Sequence, residues 1–257
     1  MGQIYAITNQ KGGVGKTTTT INLAAALVHA FDQKVLLVDM DPQGNATSGS
    51  GINRDQLQNS VYDCLEYSDY DVSRAIITNN SEGYHILPSN PDLISAESEL
   101  IKLEQKEYRL RQQLQKIYDQ YDYIIIDCPP ALGMLTINAL VAANGIIIPV
   151  QCEYYSLEGL SSLLDTIETI RGINSHLQLR GILRTMYDPR SILTGDISRQ
   201  LRMHFEDSLF KTAIPRNVRL AEAPSHGISI VEYDRFSRGA IAYLGLAAEI
   251  IRTDTKQ

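Results

Sequence analysis

The sequence contains no apolar run near the ~20 residues needed to span a bilayer. Polar residues interrupt its first apolar stretch at once, so nothing at the N-terminus reads as a signal peptide. Cysteine is scarce: Cys64, Cys128 and Cys152 are the only three in 257 residues. They are odd in number and far apart, with no C-x-x-C spacing. That argues against a disulfide frame or a zinc site, and for reduced thiols in a cytoplasmic protein. Positive charge is short as well. The chain has 23 Lys/Arg against 30 Asp/Glu, a formal net charge of −7, which argues against a protein that is basic all over. The shortage is uneven: residues 180–238 hold 10 Lys/Arg and 7 Asp/Glu, and the remainder 13 and 23. Local anion binding on the C-terminal third therefore stays open. No internal repeat, low-complexity tract or long linker breaks the chain. With 44% apolar and 21% charged residues, it reads as one large α/β domain with a sizeable core.

The stretch with most information is Asn9-Gln-Lys11-Gly12-Gly13-Val14-Gly15-Lys16-Thr17-Thr18. An apolar run, Ile4 to Ile7, precedes it. A helical pattern of Ile21, Leu23, Ala24, Leu27 and Val28 follows. A buried strand thus enters a Gly-rich turn that opens a helix, which is the context a phosphate-cradling loop requires. Glycines let the backbone approach phosphate closely, and the helix N-terminus favours an anion. Lys16 would supply charge to the β/γ-phosphates, and the Thr17 hydroxyl can ligate Mg²⁺. The pattern departs from the ordinary G-x-x-x-x-G-K-[ST] loop. Position 10 is Gln10 rather than glycine, and a second lysine, Lys11, precedes Gly12.

Further strands are predicted at Lys34–Asp39, Tyr84–Pro88, Tyr123–Asp127, Gly145–Val150, Leu179–Tyr187 and Leu209–Ile214. Short helices are expected around Val61–Leu65 and Val72–Ile77. Apolar spacing of three, four or seven predicts one helix from about Ile94 to Tyr121. Others are expected at about Leu157–Ile170, around Ile197–Phe205, and at Gly239–Arg252. The alternation predicts a single doubly wound, mostly parallel sheet with helices on both faces. Two predicted strands end in acids: Asp39, followed by Met40-Asp41-Pro-Gln-Gly44, and Asp127, followed by Cys-Pro-Pro130. Ligands of such sheets sit beyond those strand ends. The plainer reading of Asp39 and Asp41 is a turn whose carboxylates satisfy backbone N–H groups.

These blocks resemble the ParA/MinD superfamily of deviant Walker A ATPases. Lys11 to Thr18 looks like its deviant Walker A box. Leu37 to Asn45 looks like its A′ box, and Ile126 to Pro130 like its B box. Ile214 to Gly227 is similar to the chromosomal ParA (Soj) branch. The resemblance covers nearly the whole chain. It implies ATP and Mg²⁺ as cofactors and slow ATP hydrolysis. It also implies a homodimer with ATP sandwiched between subunits. Lys11 would reach across that interface to the partner's phosphates, while Lys16 and Thr17 act in cis. Asp41 would position the attacking water. Asp39 and Asp127 would support the Mg²⁺ shell, Asp127 through water. Pro215 and Asn217 would flank the adenine. Non-specific double-stranded DNA and a ParB-type centromere-binding protein are the implied partners, in a cytoplasmic, nucleoid-associated protein. Arg190, Arg219 and Arg216 are the DNA-binding residues carried over, with Arg202, Arg235 and Arg238 as weaker candidates. The rival reading pairs each arginine with a local acid such as Asp188, Glu222 or Asp234.

Other members of the superfamily are the competing readings. A MinD-like membrane ATPase should end in a basic amphipathic helix, whereas the tail here, Glu249 to Gln257, is polar. An iron–sulfur reductase needs two well-placed cysteines, and Cys128 adjoins Asp127 instead of lying several residues beyond it. A small-molecule synthetase shares the phosphate site but gives no reason for the block from Pro215 to Gly227. The phosphate loop begins near residue 10, so no N-terminal helix-turn-helix extension is expected and the chain is taken as one ATPase domain, 1–257.

Overall fold

Strands of a parallel sheet covered by helices are buried on both faces and read as near-continuous apolar runs. In the computed structural model, described here for residues 2–255 except 79 and 155 and without the side chain at 158, all seven predicted strands form. They are β1 (Gln3–Ile7), β2 (Val35–Asp39), β3 (His85–Leu87), β4 (Tyr123–Asp127), β5 (Gly145–Gln151), β6 (Gln178–Tyr187) and β7 (Leu209–Pro215). They lie in one sheet of order β3-β2-β4-β1-β5-β6-β7, and every pairing between them is parallel.

Successive residues of a strand point to opposite faces, and the core divides accordingly. Ile4, Ala6, Leu36, Val38, Ile124 and Ile126 face one layer. That layer holds α3 (Val61–Glu66), α4 (Leu93–Leu100), α5 (Arg109–Gln115), α6 (Met134–Ala142), α7 (Ser156–Arg171) and α8 (Ile192–Phe205). Tyr5, Ile7, Val35, Leu37, Tyr123 and Ile125 face the other. There lie α1 (Lys16–Phe31), α2 (Asn45–Gly49), α9 (Val218–Glu222), α10 (Ile230–Tyr233) and α11 (Arg238–Asp254).

The helix expected over Ile94–Tyr121 does not form as one piece. It breaks after Leu100 and resumes as a 3-10 turn at Lys106–Tyr108 that leads into α5; a second 3-10 turn follows at Tyr118–Gln120. Gln105 adopts a left-handed φ of 51°, and Asn138 of α6 holds the junction. Its amide donates to the Lys106 carbonyl (2.8 Å) and its oxygen accepts from the Leu110 N–H (3.2 Å). Leu100, Leu110 and Leu114 are still buried, so two short helices satisfy the same apolar spacing.

The last helix, α11, buries Ala240, Tyr243, Leu246, Ala247 and Ile250 against the sheet. It is therefore a core helix. No helix among the described residues is long and apolar enough to cross a membrane. The final two positions of the polar tail, 256 and 257, lie outside the described residues.

Candidate nucleotide site

The turn between β1 and α1 is held at both ends. Asn9 donates its amide to the Pro149 carbonyl (2.7 Å) and accepts from the Lys11 N–H (2.9 Å). Thr185 of β6 donates its hydroxyl to the Val14 carbonyl (2.8 Å). Between these anchors the backbone is left-handed at Gly13 (φ 74°) and Gly15 (φ 89°), which favours glycine. Gly15 caps α1, and among the described residues no side chain takes up the N–H groups of the first turn. Among the described residues, nothing lies within 4 Å of where a Cβ would stand on Gly12 or Gly13. The result is an open ring of donors at a helix N-terminus, a cradle that fits phosphate.

Lys16 is buried, and its ammonium donates to the Lys11 carbonyl at 3.2 Å. Burial pulls its pKa down, with Asp127 and Asp41 acting the other way. A phosphate in the cradle would compensate that charge. Lys11 differs: it is exposed, and its ammonium sits 2.6 Å from the Glu153 carboxylate of the same chain.

Strand register brings the acids together. Ile7 pairs with Asp127, and Asp127 pairs with Asp39 on the far side. Asp127 is fully buried and accepts from the hydroxyls of Thr17 (2.7 Å) and Thr20 (3.0 Å). Asp39, also fully buried, accepts from the Thr47 N–H (2.8 Å), the Thr47 hydroxyl (2.7 Å) and the Asp41 N–H (3.1 Å). Both its oxygens thus brace the loop that carries Asp41. Burial raises both carboxyls, and the negative charge of Asp39 raises Asp127 further. The two titrate as a pair. A divalent cation beside Thr17 and Asp127 would reverse that shift. Among the described residues no cluster of three or more His, Cys, Asp or Glu forms a metal cage. Mg²⁺ suits so sparse a donor set, because it keeps several waters and takes substrate phosphates as ligands.

Two cavities meet at this point. One of about 330 Å³ is lined by Gly12, Lys16, Thr17, Asp41 and Pro130. The next, about 390 Å³, is lined by Thr185, Ile214, Pro215, Asn217, Leu220 and Tyr243. The first brings the Lys16, Thr17 and Asp41 side chains to the Gly-rich turn; the second has mostly apolar walls, suited to a base. Met186 lines both, with a left-handed φ of 47° that a non-glycine residue rarely adopts. Met186, Thr20 and Thr47 carry no sequence signal and were not anticipated.

Of the arginines, Arg190 and Arg219 stand apart from this cleft, and Arg216 borders it. Arg190 is exposed and bonds both oxygens of Asp188 (2.9 Å each). Arg219, also exposed, pairs with Glu222 (3.0 Å) and Asp234 (3.8 Å). In the isolated chain these two therefore adopt the local pairing that was the rival reading. Arg216 is exposed and borders the base cavity. Arg202, Arg235 and Arg238 are exposed as well. The three cysteines are all buried. Burial raises each thiol, Cys64 to about 12; none is poised as a cluster ligand.

Comparison with known proteins follows this geometry. A family model described as an AAA domain matches residues 2–179. An uncharacterized protein of Pseudomonas putida is 56% identical over 253 residues, covering 98% of this chain and 95% of that protein. The sporulation initiation inhibitor protein Soj of Bacillus subtilis is 51% identical over 251 residues, covering 97% of this chain and 98% of Soj. Among solved structures, a cobyrinic acid a,c-diamide synthase from Mycobacterium smegmatis with bound ADP and magnesium superposes with a TM-score of 0.87. It is 38% identical, with 99% of this chain and 96% of that one covered.

Proposed function

Because the chain belongs to the ParA/MinD superfamily, on its chromosomal ParA (Soj) branch, we propose that it works as an ATP-switched DNA-partitioning protein. Its reaction is hydrolysis of ATP to ADP and phosphate, with Mg²⁺. The observation that carries the reading is convergence at three neighbouring strand ends. The phosphate loop follows β1, the Asp41 loop follows β2, and Asp127 ends β4 with the Thr17 hydroxyl on it.

Each residue then has a task. The N–H groups from Gly12 through Thr18, including Val14 and Gly15, hold the phosphates with Lys16. Thr17 would ligate Mg²⁺, Asp127 would support it through water, and Asp39 would steady the same site through the loop it braces. The metal, when bound, neutralises the β/γ-phosphate charge. Asp41 positions the attacking water. Pro215 and Asn217 flank the base. Phosphoryl transfer needs positioning and charge neutralisation more than covalent help, so this set suffices. Lys11 acts in trans: in an ATP-sandwich dimer it exchanges Glu153 for the partner's phosphates, bringing positive charge to a crowded anionic interface.

DNA binding belongs to the dimer. Arg190, Arg219 and Arg216 of two subunits together form the basic patch that an acidic monomer lacks. DNA phosphates must displace Asp188 and Glu222, which is feasible because exposed ion pairs are worth little. A ParB-type partner stimulates hydrolysis and so releases the DNA.

The test is binding of the purified protein to random-sequence duplex with ATP, with ADP and without nucleotide, across a salt series. Binding only with ATP, weakening steeply as salt rises, is expected. A salt slope near zero overturns the proposal. A second reading, an ATP-dependent amide synthase, is favoured by the name of the mycobacterial neighbour. That reading predicts no DNA binding in any nucleotide state, and ATP turnover only when a carboxylic acid acceptor and an amine donor are supplied.

A further inference from the structure

Between β2 and α2 the Asp41 loop has no regular structure, so its main-chain carbonyls need donors from elsewhere. Arg54, at the start of the 3-10 turn Arg54–Gln56, supplies them. Its Nη2 donates to the Pro42 carbonyl (2.6 Å), its Nη1 to the Gln43 carbonyl, and its Nε to the Ser89 carbonyl (3.3 Å). Ser89 closes the circuit. Its hydroxyl donates to the Asp41 carbonyl (2.8 Å), and its N–H donates to the Thr47 hydroxyl (2.9 Å) that also bonds Asp39. Gly44 leaves room for the guanidinium: a Cβ there would stand 2.0 Å from Nε. Among the described residues no carboxylate pairs with Arg54. Its three donor nitrogens all serve main-chain oxygens around Asp41.

We propose that Arg54 is a positioning residue for ATP hydrolysis: it clamps the carbonyls of Pro42 and Gln43 and so fixes where Asp41 holds the attacking water. Arg54 does not line either cavity of the nucleotide site and would act only through the loop. The inference rests on the role given to Asp41 above. A guanidinium suits the task because its planar fork spans two adjacent carbonyls, which a lysine ammonium cannot do.

Single-turnover hydrolysis of Mg–ATP, measured beside ATP affinity and ATP-driven dimerisation, tests it. Arg54→Ala is expected to slow hydrolysis about 10- to 100-fold, the scale of a small misplacement of a reacting group. ATP affinity and dimerisation should stay within about twofold, the pattern of an interaction that matters only in the transition state. Added methylguanidinium should recover part of the rate. Arg54→Ala at the normal rate overturns the proposal, and so does a variant that loses ATP affinity and hydrolysis together. If Arg54→Ala does not fold, Arg54→Lys decides: slow hydrolysis with normal affinity supports the clamp, and a normal rate overturns it. Asp41→Ala separates the two layers. A normal rate there removes the role of Asp41 itself; a slow Asp41→Ala beside a normal Arg54→Ala overturns the clamp alone.

Discussion

Asp127 and Asp39 are two carboxyls buried side by side, and the energetics of the empty site follow from them. Their folded-state pKa values are raised by burial. A raised carboxyl contributes stability that is fully present below its unfolded value, about pH 4. That stability is lost as pH rises through the folded value. The nucleotide-free protein should therefore lose stability from about pH 4 through the raised values of Asp39, about 6, and Asp127, about 8, and Mg–ATP should flatten the curve. Asp127→Asn should raise the melting temperature of the nucleotide-free protein at pH 7.5 while weakening Mg²⁺-dependent ATP binding. Thermal melts across pH, with and without Mg–ATP, check both; an unchanged pH profile for Asp127→Asn would refute the assignment. Lys16, Thr17 and Asp127 were legible because each sits in a short motif at a strand end. That Asp39 and Asp41 accept from backbone N–H groups was legible too, as the plainer reading of their turn, and the structure shows it. The reach of the Asp39 bracing was not. It depends on Thr47, eight residues further on, in a stretch with no period to read. Arg54 was hidden for a similar reason: a long side chain can reach any neighbouring backbone, and no spacing encodes where it lands.

Strands were legible as short apolar runs, and helices where a polar face marks their period. The strands β1 to β5 are largely apolar, β6 and β7 keep an apolar centre despite Arg180, Arg184 and Lys211, and all seven were legible. α6 was not located, since Leu135, Thr136, Asn138, Ala139, Leu140, Val141 and Ala142 are all buried and leave no polar face to mark a helical period. The split of α4 from α5 was invisible because the deciding group, Asn138, belongs to another element. α6 depends on a loan of the same kind. No side chain of its own caps its N-terminus at Gly133. Glu97 of α4 accepts from the N–H groups of Met134 (2.7 Å) and Leu135 (3.3 Å) instead. This ties α4 to the end of the loop that follows Asp127. Glu97→Ala should cost about 1–2 kcal/mol, the usual range for a lost helix cap. A urea midpoint lowered at constant slope would show it, whereas an unchanged midpoint would mean that water replaces the carboxylate.

The whole molecule separates its chemistry from its fastening. The phosphate loop and both acidic loops occupy the carboxyl ends of the strands. At the opposite end Asp254, in the last turn of α11, accepts from the hydroxyls of Tyr5 (2.7 Å) and Tyr123 (2.9 Å) and pairs with Arg180. The Arg180 and Asp254 side chains are each only 10% exposed. Removing one partner of such a pair leaves a buried charge unmatched, so Asp254→Ala should cost about 3–5 kcal/mol. Chemical denaturation measures this, and a loss below about 1 kcal/mol, the range of an exposed pair, would show the contact to be peripheral. Tyr5 and Asp254 are 249 positions apart in the chain, so this junction ties the first strand to the last helix. Neither extremity can open while the other stays shut. The amide protons of α11, which in many proteins would exchange early by fraying, should exchange with those of β1, and only when the entire molecule unfolds.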